Sequence, residues 1–308
     1  DFTKPYADFD IAEIVRYARE RGIEIIGHHE TGGNIPDYER QLERAVKWYA
    51  DLGIHNLKTG YAGGISGGNN HHGQYMVRHY QHVVETAAKY RMTVNAHEPI
   101  KDCGIRRTWP NMMSREGARG KEWDAWSAGN PPSHEVTLPF TRLLAGPMDF
   151  TPGSMFSAQP EDNRSTGANP MGTGTRAYQM ALYVVFESPL QMLADNPVLY
   201  RREHPCTEFL AAVPTTWDSL RVLHAACGRE VVVARRKGDK WYVGGITNDR
   251  PYTTEIALDF LPAGRTFTMT SFEDGVNADL QATDYRKRVR EVDASTVVKV
   301  EMVRNGGW

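Results

Sequence analysis

This sequence lacks the features that mark several specialised classes of protein. Its 308 residues include three cysteines, Cys103, Cys206 and Cys227, at wide and unpatterned spacings, so neither a disulfide framework nor a cysteine-based zinc site is indicated. No hydrophobic run approaches the roughly 20 residues that span a membrane. The 36 basic and 38 acidic residues nearly balance, which gives no electrostatic reason to expect a nucleic acid or a membrane surface as partner.

The sequence also lacks an initiator methionine. It opens at Asp1 and runs almost at once into a helical pattern that Asp10 can cap and Gly22 can end. Because a helix is an unusual start for an α/β domain, we expect this sequence to be a piece of a longer protein.

Up to about residue 210, short apolar runs alternate with helical patterns. This order predicts a parallel sheet and favours a (β/α)₈ barrel. The expected strands are 23–26, 55–58, 92–94, a weak one near Cys103, 148–150 and 190–193, and the expected helices are 35–52, 75–90 and 176–186. Since about two of the eight strands are missing, we predict a partial TIM barrel comprising about strands 3 to 8.

The pattern changes near Val213 to alternating, β-rich segments separated by turn residues. These segments are 230–235, 240–246, 254–258, 266–272 and 296–303. They predict an antiparallel β-sandwich. We therefore expect an α/β protein with two domains, a catalytic barrel over 1–212 that lacks its N-terminal part and a C-terminal β-sandwich over 213–308.

Carboxylates follow the apolar runs of the first domain. Glu30 ends the run Gly27-His28-His29-Glu30, and a second His-Glu pair, His97-Glu98, ends the run at 92–96. Side chains at the carboxyl ends of barrel strands face the mouth of the barrel, where reacting groups lie. The repeated pair predicts an active site with carboxylates that can hold a hard cation or flank a sugar.

Two other kinds of site compete for this region. Zinc could use His28, His29, His97 and the pair His71-His72, but their spacing is not that of a zinc helix, and the nearby carboxylates suit calcium better. The glycine-rich stretch 59–70 could suggest a phosphate loop, but it lacks the Gly-Lys-Ser/Thr ending. Both alternatives are disfavoured.

Tryptophans accompany the acidic residues of the segment 109–130. Trp109, Trp123 and Trp126 lie beside Glu116 and Glu122. Indole rings stack on the apolar faces of sugars while carboxylates bind their hydroxyls, so this composition suits a saccharide cleft. A packed loop with tryptophans in its core is the alternative.

Five motifs together resemble glycoside hydrolase family 97. They are GHHETG at 27–32, GIHNLKTGY at 53–61, NAHE at 95–98, RRTWPNMMSREGARGKE at 106–122 and MDFTPG at 148–153. The resemblance implies a calcium-containing α-glucosidase or α-galactosidase of polysaccharide-using bacteria, periplasmic or otherwise exported, with an N-terminal β-sandwich domain before the barrel. This chain would then lack that domain and the first two barrel strands, and its exposed barrel edges could promote self-association.

The resemblance also implies roles for individual residues. Glu122 would be the general acid, Glu30 and Glu98 the general bases, and Glu98, Glu116 and Glu122 calcium ligands. His28, Lys58 and His97 match positions that contact the α-linked oligosaccharide substrate. One further calcium ligand would come from the N-terminal domain, so we expect this chain alone to bind calcium weakly and to be poorly active.

The fourth barrel strand separates the two mechanisms of the family. Retaining members resemble one another in carrying an aspartate nucleophile there, whereas this strand reads Leu57-Lys58-Thr59-Gly60. We therefore expect an inverting, calcium-dependent α-glucosidase. A retaining-type α-galactosidase, a non-catalytic carbohydrate-binding protein and a zinc-dependent hydrolase are the alternatives.

Overall fold

A four-stranded parallel sheet organises the first part of the chain. The computed structural model describes residues 1–168 and 170–308, which divide by internal packing into two units, one of residues 1–117 with 146–149 and one of residues 118–145 with 150–308. The sheet belongs to the first unit. Its strands, in sheet order, are β1 (Ile26–Glu30), β2 (Asn56–Gly60), β3 (Thr93–Ala96) and β4 (Met112–Arg115).

Helices precede and connect these strands. They are α1 (Ile11–Arg19), α2 (Ile35–Leu52), α3 (Gln74–Lys89) and the short α4 (Ile105–Thr108), with a 3₁₀ turn at Ser66–Gly68. Asn34 caps α2, and Gly53 ends it in the left-handed region at φ 81°, a conformation that glycine adopts without strain. Tyr38 and Leu42 of α2 pack with Leu57 of β2 in the core of this unit.

The second unit begins with short elements around a buried helix. These are 3₁₀ turns at Lys121–Ala125, Leu138–Phe140, Arg142–Ala145 and Pro160–Asp162, helix α5 (Pro132–Glu135), the two-residue strands β5 (Ser157–Ala158) and β6 (Gly172–Thr173), and helices α6 (Arg176–Val185), α7 (Pro197–Arg202) and α8 (His204–Ala212). All residues of α6 are buried, as expected for a helix that is enclosed on every side.

Seven antiparallel strands complete the second unit. They are β7 (Ser219–Ala226), β8 (Glu230–Lys237), β9 (Lys240–Thr247), β10 (Tyr252–Ala257), β11 (Phe267–Asp274), β12 (Tyr285–Val292) and β13 (Val297–Met302). They form the sheets β7-β8-β9, β10-β13 and β11-β12. The α/β class, the parallel sheet and the C-terminal antiparallel sheets are therefore confirmed, whereas the partial TIM barrel, the sandwich and the boundary at residues 212 and 213 stay predictions.

The sequence located the helices better than the strands. Helix 35–52 is confirmed, but the strand expected at 23–26 begins only at Ile26 and runs to Glu30. The strand expected near Cys103 is wrong, because the chain forms α4 there and the strand lies at 112–115. Of the segment 148–150 only Met148 forms a bridge, to Arg115, and within the described part of the chain 190–193 forms no strand.

The length and polarity of a helix decide whether it could cross a membrane. Among the described residues, no helix is both long enough and apolar enough to cross a membrane.

Candidate active site

The carboxyl ends of the four parallel strands bring the expected residues of the first unit to one edge of the sheet. In the strand register Glu30 lies opposite Gly60, and Lys58 lies between His28 and Asn95. Residues that lie opposite one another in neighbouring strands point to the same face of the sheet. His28, Lys58 and Asn95 thus form one row, and Glu30 lies beyond it at the edge.

Two carboxylates converge on Gly60. A Cβ atom at this position would lie 2.2 Å from Glu30 Oε2 and 3.0 Å from Glu98 Oε2. Backbone amides hold both carboxylates in place, since Gly32 donates to Glu30 Oε1 at 2.9 Å and Tyr61 donates to Glu98 Oε2 at 2.8 Å. The space that a side chain on the end of β2 would need is filled by these two acids.

Glu98 has an unusual backbone conformation. Its φ of 42° lies in the left-handed region, which is unfavourable for a residue with a side chain and is often found at functional sites. The Tyr80 hydroxyl donates to the Glu98 carbonyl at 2.5 Å, His71 Nε2 bonds the same carbonyl, and the Glu98 amide donates to Glu116 Oε2 at 3.1 Å. These contacts fix the direction in which Glu98 presents its carboxylate.

Beside Glu98, His97 is held between two acids. Its Nε2 lies 2.8 Å from Asp149 Oδ2 and its Nδ1 3.8 Å from Glu116 Oε2, and Asn95 donates to the same Asp149 oxygen at 2.6 Å. Burial opposes protonation of the imidazole, but the Asp149 hydrogen bond and the nearby carboxylates outweigh it and raise the His97 pKa. The carboxylates on either side of His97 therefore favour its protonated form.

The two histidines of β1 have different environments. His28 is exposed, yet partial desolvation of its ring, followed by the Lys58 charge, lowers its pKa. His29 points to the opposite face, where its ring stacks 5.0 Å from Tyr49 and its Nδ1 lies 2.8 Å from the Tyr38 hydroxyl. Burial lowers the His29 pKa to about 3, so this residue is a neutral part of the core.

The histidines considered for zinc are dispersed among these roles. His29 packs in the core, His71 bonds the Glu98 carbonyl and His97 pairs with Asp149. These contacts give His29 a role in packing and His71 a role in positioning Glu98.

Glu122 belongs to the second unit, where it is exposed on the 3₁₀ turn Lys121–Ala125. Its neighbour Lys121 is fully buried and pairs with Glu135 at 2.9 Å and Asp124 at 3.2 Å. Burial raises the Glu135 pKa to about 7 despite the nearby ammonium. An unpaired charge in such a place would be strongly unfavourable, so this buried cluster anchors the turn that carries Glu122.

Exposed tryptophans lie on the same turn. Trp123 and Trp126 are 41% and 53% exposed, and their ring centroids are 5.9 Å apart. Trp109 instead packs, partly buried, against the core of the first unit. Exposed neighbouring rings are the kind of surface on which a sugar stacks.

Sequence reasoning missed three residues that support this site. Asp149 binds His97 and accepts a hydrogen bond from Asn95, and Lys121 anchors the turn of Glu122. Asp149 lies within the motif MDFTPG, and this motif could have indicated that Asp149 belongs to the site. The pairing of Lys121 with Glu135 left no signal, because neither helical nor strand spacing brings these two positions together.

Comparison with known proteins identifies relatives of both parts of the chain. A family model described as Glycoside hydrolase 97 matches residues 1–118, and one described as Glycosyl-hydrolase 97 C-terminal, oligomerisation, matches residues 216–308. A retaining alpha-galactosidase of Bacteroides thetaiotaomicron is 35% identical over all of this chain and 45% of its own length. A probable retaining alpha-galactosidase of Streptomyces bingchenggensis is 33% identical over 80% of this chain and 35% of its own length.

Solved structures of family 97 enzymes have the same fold as this chain. A family 97 enzyme of Pseudoalteromonas sp. strain K8 in complex with panose superimposes on the whole chain with a TM-score of 0.91 and 40% identity, over 49% of its own length. Its complex with acarbose gives the same TM-score and 42% identity. The chain thus spans half or less of the length of these relatives.

These relatives contradict the prediction of an inverting α-glucosidase, because both curated proteins are named as retaining, or probable retaining, alpha-galactosidases. The prediction of glucose rested on the mechanism inferred from the missing aspartate on β2. The residue at that position bears on the reaction at the anomeric carbon, whereas glucose and galactose differ only in the orientation of the hydroxyl at C4.

Replacing Gly60 with alanine tests the convergence of the two carboxylates. The new Cβ would displace Glu30 and Glu98, so we expect activity of the full-length protein to fall roughly 100-fold, as for other displacements of about 1 Å in an active site. Gly64→Ala is the matched control, since a Cβ there meets no atom within 4 Å. Equal kcat values for the two variants would contradict the expectation.

Replacing Asp149 with asparagine tests the charge on His97. The folded-state pKa of His97 is raised above 6.5 and that of Asp149 is lowered below 3.8. The pair therefore stabilises the fold most at about pH 5, and this contribution is lost as the pH rises through the His97 pKa or falls through the Asp149 pKa.

We expect Asp149→Asn to lower the free energy of unfolding by about 2 kcal/mol near that pH and by less at about pH 9, measured by urea unfolding. Asp51→Asn, which removes only the surface pair with Lys47, should change it by less than about 0.5 kcal/mol at either pH. A loss for Asp149→Asn that is independent of pH would show that His97 is not charged.

Proposed function

Because this chain belongs to glycoside hydrolase family 97, we propose that it supplies catalytic residues of a glycosidase that hydrolyses α-galactosides with retention of configuration. The names of the two curated relatives support this substrate and stereochemistry. The observation that carries the proposal is the convergence of Glu30 and Glu98 on Gly60 at the carboxyl edge of a parallel sheet. Paired carboxylates are what hydrolysis of a glycosidic bond needs.

A retaining reaction needs a carboxylate nucleophile, and the strand that carries an aspartate in retaining members ends here in Gly60. One of the two acids that fill the space beside Gly60, Glu30 or Glu98, must therefore be the nucleophile. It attacks the anomeric carbon as the bond to the leaving oxygen breaks, and a proton from Glu122 neutralises that oxygen. Water then displaces the carboxylate and gives a proton back to Glu122.

The remaining polar side chains would bind and orient the sugar. His28, Lys58 and His97 line the carboxyl edge of the sheet, where a cation and two imidazoles can bind sugar hydroxyls. We assign stacking on the sugar to the exposed rings of Trp123 and Trp126.

We also propose calcium as the cofactor, held by Glu98, Glu116 and Glu122. The donor chemistry fits, because these side chains offer carboxylate oxygens, the ligands that calcium prefers, and the Glu98 amide already joins Glu98 to Glu116 at 3.1 Å. When bound, the ion supplies positive charge beside the acids. The hydrogen bonds that Tyr61 and Tyr80 donate to Glu98 orient this residue without the ion.

The larger context is part of the same proposal. We propose that the parallel sheet belongs to a (β/α)₈ barrel, that the C-terminal strands form a β-sandwich, and that an N-terminal domain completes the site in an exported enzyme. The relatives, of which this chain spans less than half, support that context.

Proton NMR of the full-length protein acting on p-nitrophenyl α-galactoside tests substrate and stereochemistry together. We expect the α-anomer of galactose to appear first, with faster turnover than on the α-glucoside. A first-formed β-anomer would contradict retention, and preference for the glucoside would contradict the substrate.

Trapping with 2-deoxy-2-fluoro-α-galactosyl fluoride tests the nucleophile. Peptide mass spectrometry should find the sugar on Glu30 or Glu98, and changing the labelled residue to glutamine should lower kcat by roughly 10³-fold. Glu24→Gln, at the other end of the sheet where Glu24 accepts a hydrogen bond from Asn56, is the control and should retain full activity. Label on another residue would refute the assignment.

A further inference from the structure

A glycine-rich loop of residues 61–73 joins β2 to α3. Its glycines lack the Gly-Lys-Ser/Thr ending that a phosphate loop needs. Two of them, Gly63 and Gly67, lie in the left-handed region at φ 90° and 75°, where glycine lets the chain turn without strain. Between these turns Ile65 is buried in the core of the first unit. The middle of the loop is thus anchored in that core.

The first two residues of the glycine-rich loop hold different acids. The Tyr61 amide donates to Glu98 Oε2 at 2.8 Å, and the Ala62 amide donates to Glu30 Oε1 at 3.3 Å. Because one planar peptide bond joins Tyr61 to Ala62, the two donors move together. The start of the loop therefore sets the positions of the two carboxylates relative to each other.

The middle of the loop is fastened to the segment that follows Glu30. The amide and the hydroxyl of Ser66 both donate to the Gly33 carbonyl, each at 2.9 Å. A Cβ atom on Gly33 would lie 2.4 Å from the Gly64 carbonyl oxygen, so the loop lies directly against this segment. Ser66 therefore ties the loop to the chain just after β1.

The far end of the loop is fastened to Glu98. His71 Nε2 bonds the Glu98 carbonyl, and because a carbonyl oxygen only accepts hydrogen bonds, this ring nitrogen is the donor. Glu98 precedes Pro99, and a residue before proline prefers an extended backbone, whereas the φ of Glu98 is 42°. His71 therefore stabilises a backbone conformation that the local sequence disfavours.

We propose that the glycine-rich loop is a positioning element that holds Glu30 and Glu98 as one unit, with Ser66 and His71 as its positioning residues. This inference rests on the proposed function, in which these two acids act on the glycosidic bond. Ser66 acts on the Glu30 side and His71 on the Glu98 side, and the consecutive amides at the start of the loop join the two effects. Release of the loop at either end would shift both carboxylates.

Matched substitutions in the full-length protein test the two positioning residues. Ser66→Val removes the hydroxyl and Ser66→Thr keeps it, while His71→Leu removes the donor and His71→Gln keeps a nitrogen donor. We expect Ser66→Val and His71→Leu each to lower kcat on p-nitrophenyl α-galactoside roughly 10-fold, with KM changed less than about two-fold. Ser66→Thr and His71→Gln should recover most of this loss. His82→Leu, exposed on α3, is the control and should retain full activity.

The combined variant tests whether the loop acts as one element. Ser66→Val together with His71→Leu should lower kcat about as much as either alone, because each change releases the same loop. Losses that multiply would overturn the inference. So would equal kcat values within each matched pair, or a rise in KM at unchanged kcat. Ser66→Ala and His71→Ala give the same comparison if the larger side chains prevent folding.

Glu98→Gln separates a failure of this inference from a failure of the proposed function. Full activity of Glu98→Gln would contradict the proposed function and this inference with it. If Glu98→Gln is inactive while Ser66→Val and His71→Leu both retain full activity, the inference about the loop alone is overturned.

Discussion

The hydrogen bonds of the parallel sheet are the constraint on which the proposed chemistry depends. They set Glu30 opposite Gly60 and align Lys58 with His28 and Asn95. A shift of one residue would turn each of these side chains to the opposite face, where His29 packs among tyrosines. Register therefore decides which of two adjacent histidines belongs to the core and which to the site.

Buried charge is the second organising feature, and each unit uses it differently. In the first unit Asp149 and Glu116 lie on either side of His97 and raise its pKa. In the second unit Lys121 lies between Asp124 and Glu135 beneath the turn of Glu122. Removing one member of such a group leaves an uncompensated charge in a medium that solvates it poorly. The side chains of the candidate site are thus supported by buried charged groups in both units.

The sequence predicted those parts of the site that depend on local order. The alternation of apolar and helical segments predicts α2 and the parallel sheet, and carboxylates after apolar runs point to Glu30 and Glu98. Asp149 and Lys121 could not be assigned roles in the same way, because their partners are set by the packing of distant segments. The predicted substrate was wrong, because no motif in the chain indicates which hydroxyls of the sugar the protein binds.

The left-handed backbone of Glu98 has a consequence for how this protein can change. The conformation at φ 42° suits glycine or asparagine better than glutamate, so either replacement would relieve the backbone but remove the carboxylate that accepts the Tyr61 amide. Selection for activity would retain glutamate at position 98 despite this strained backbone. The residue present there in a natural homologue is thus a sign of whether that homologue is still an enzyme.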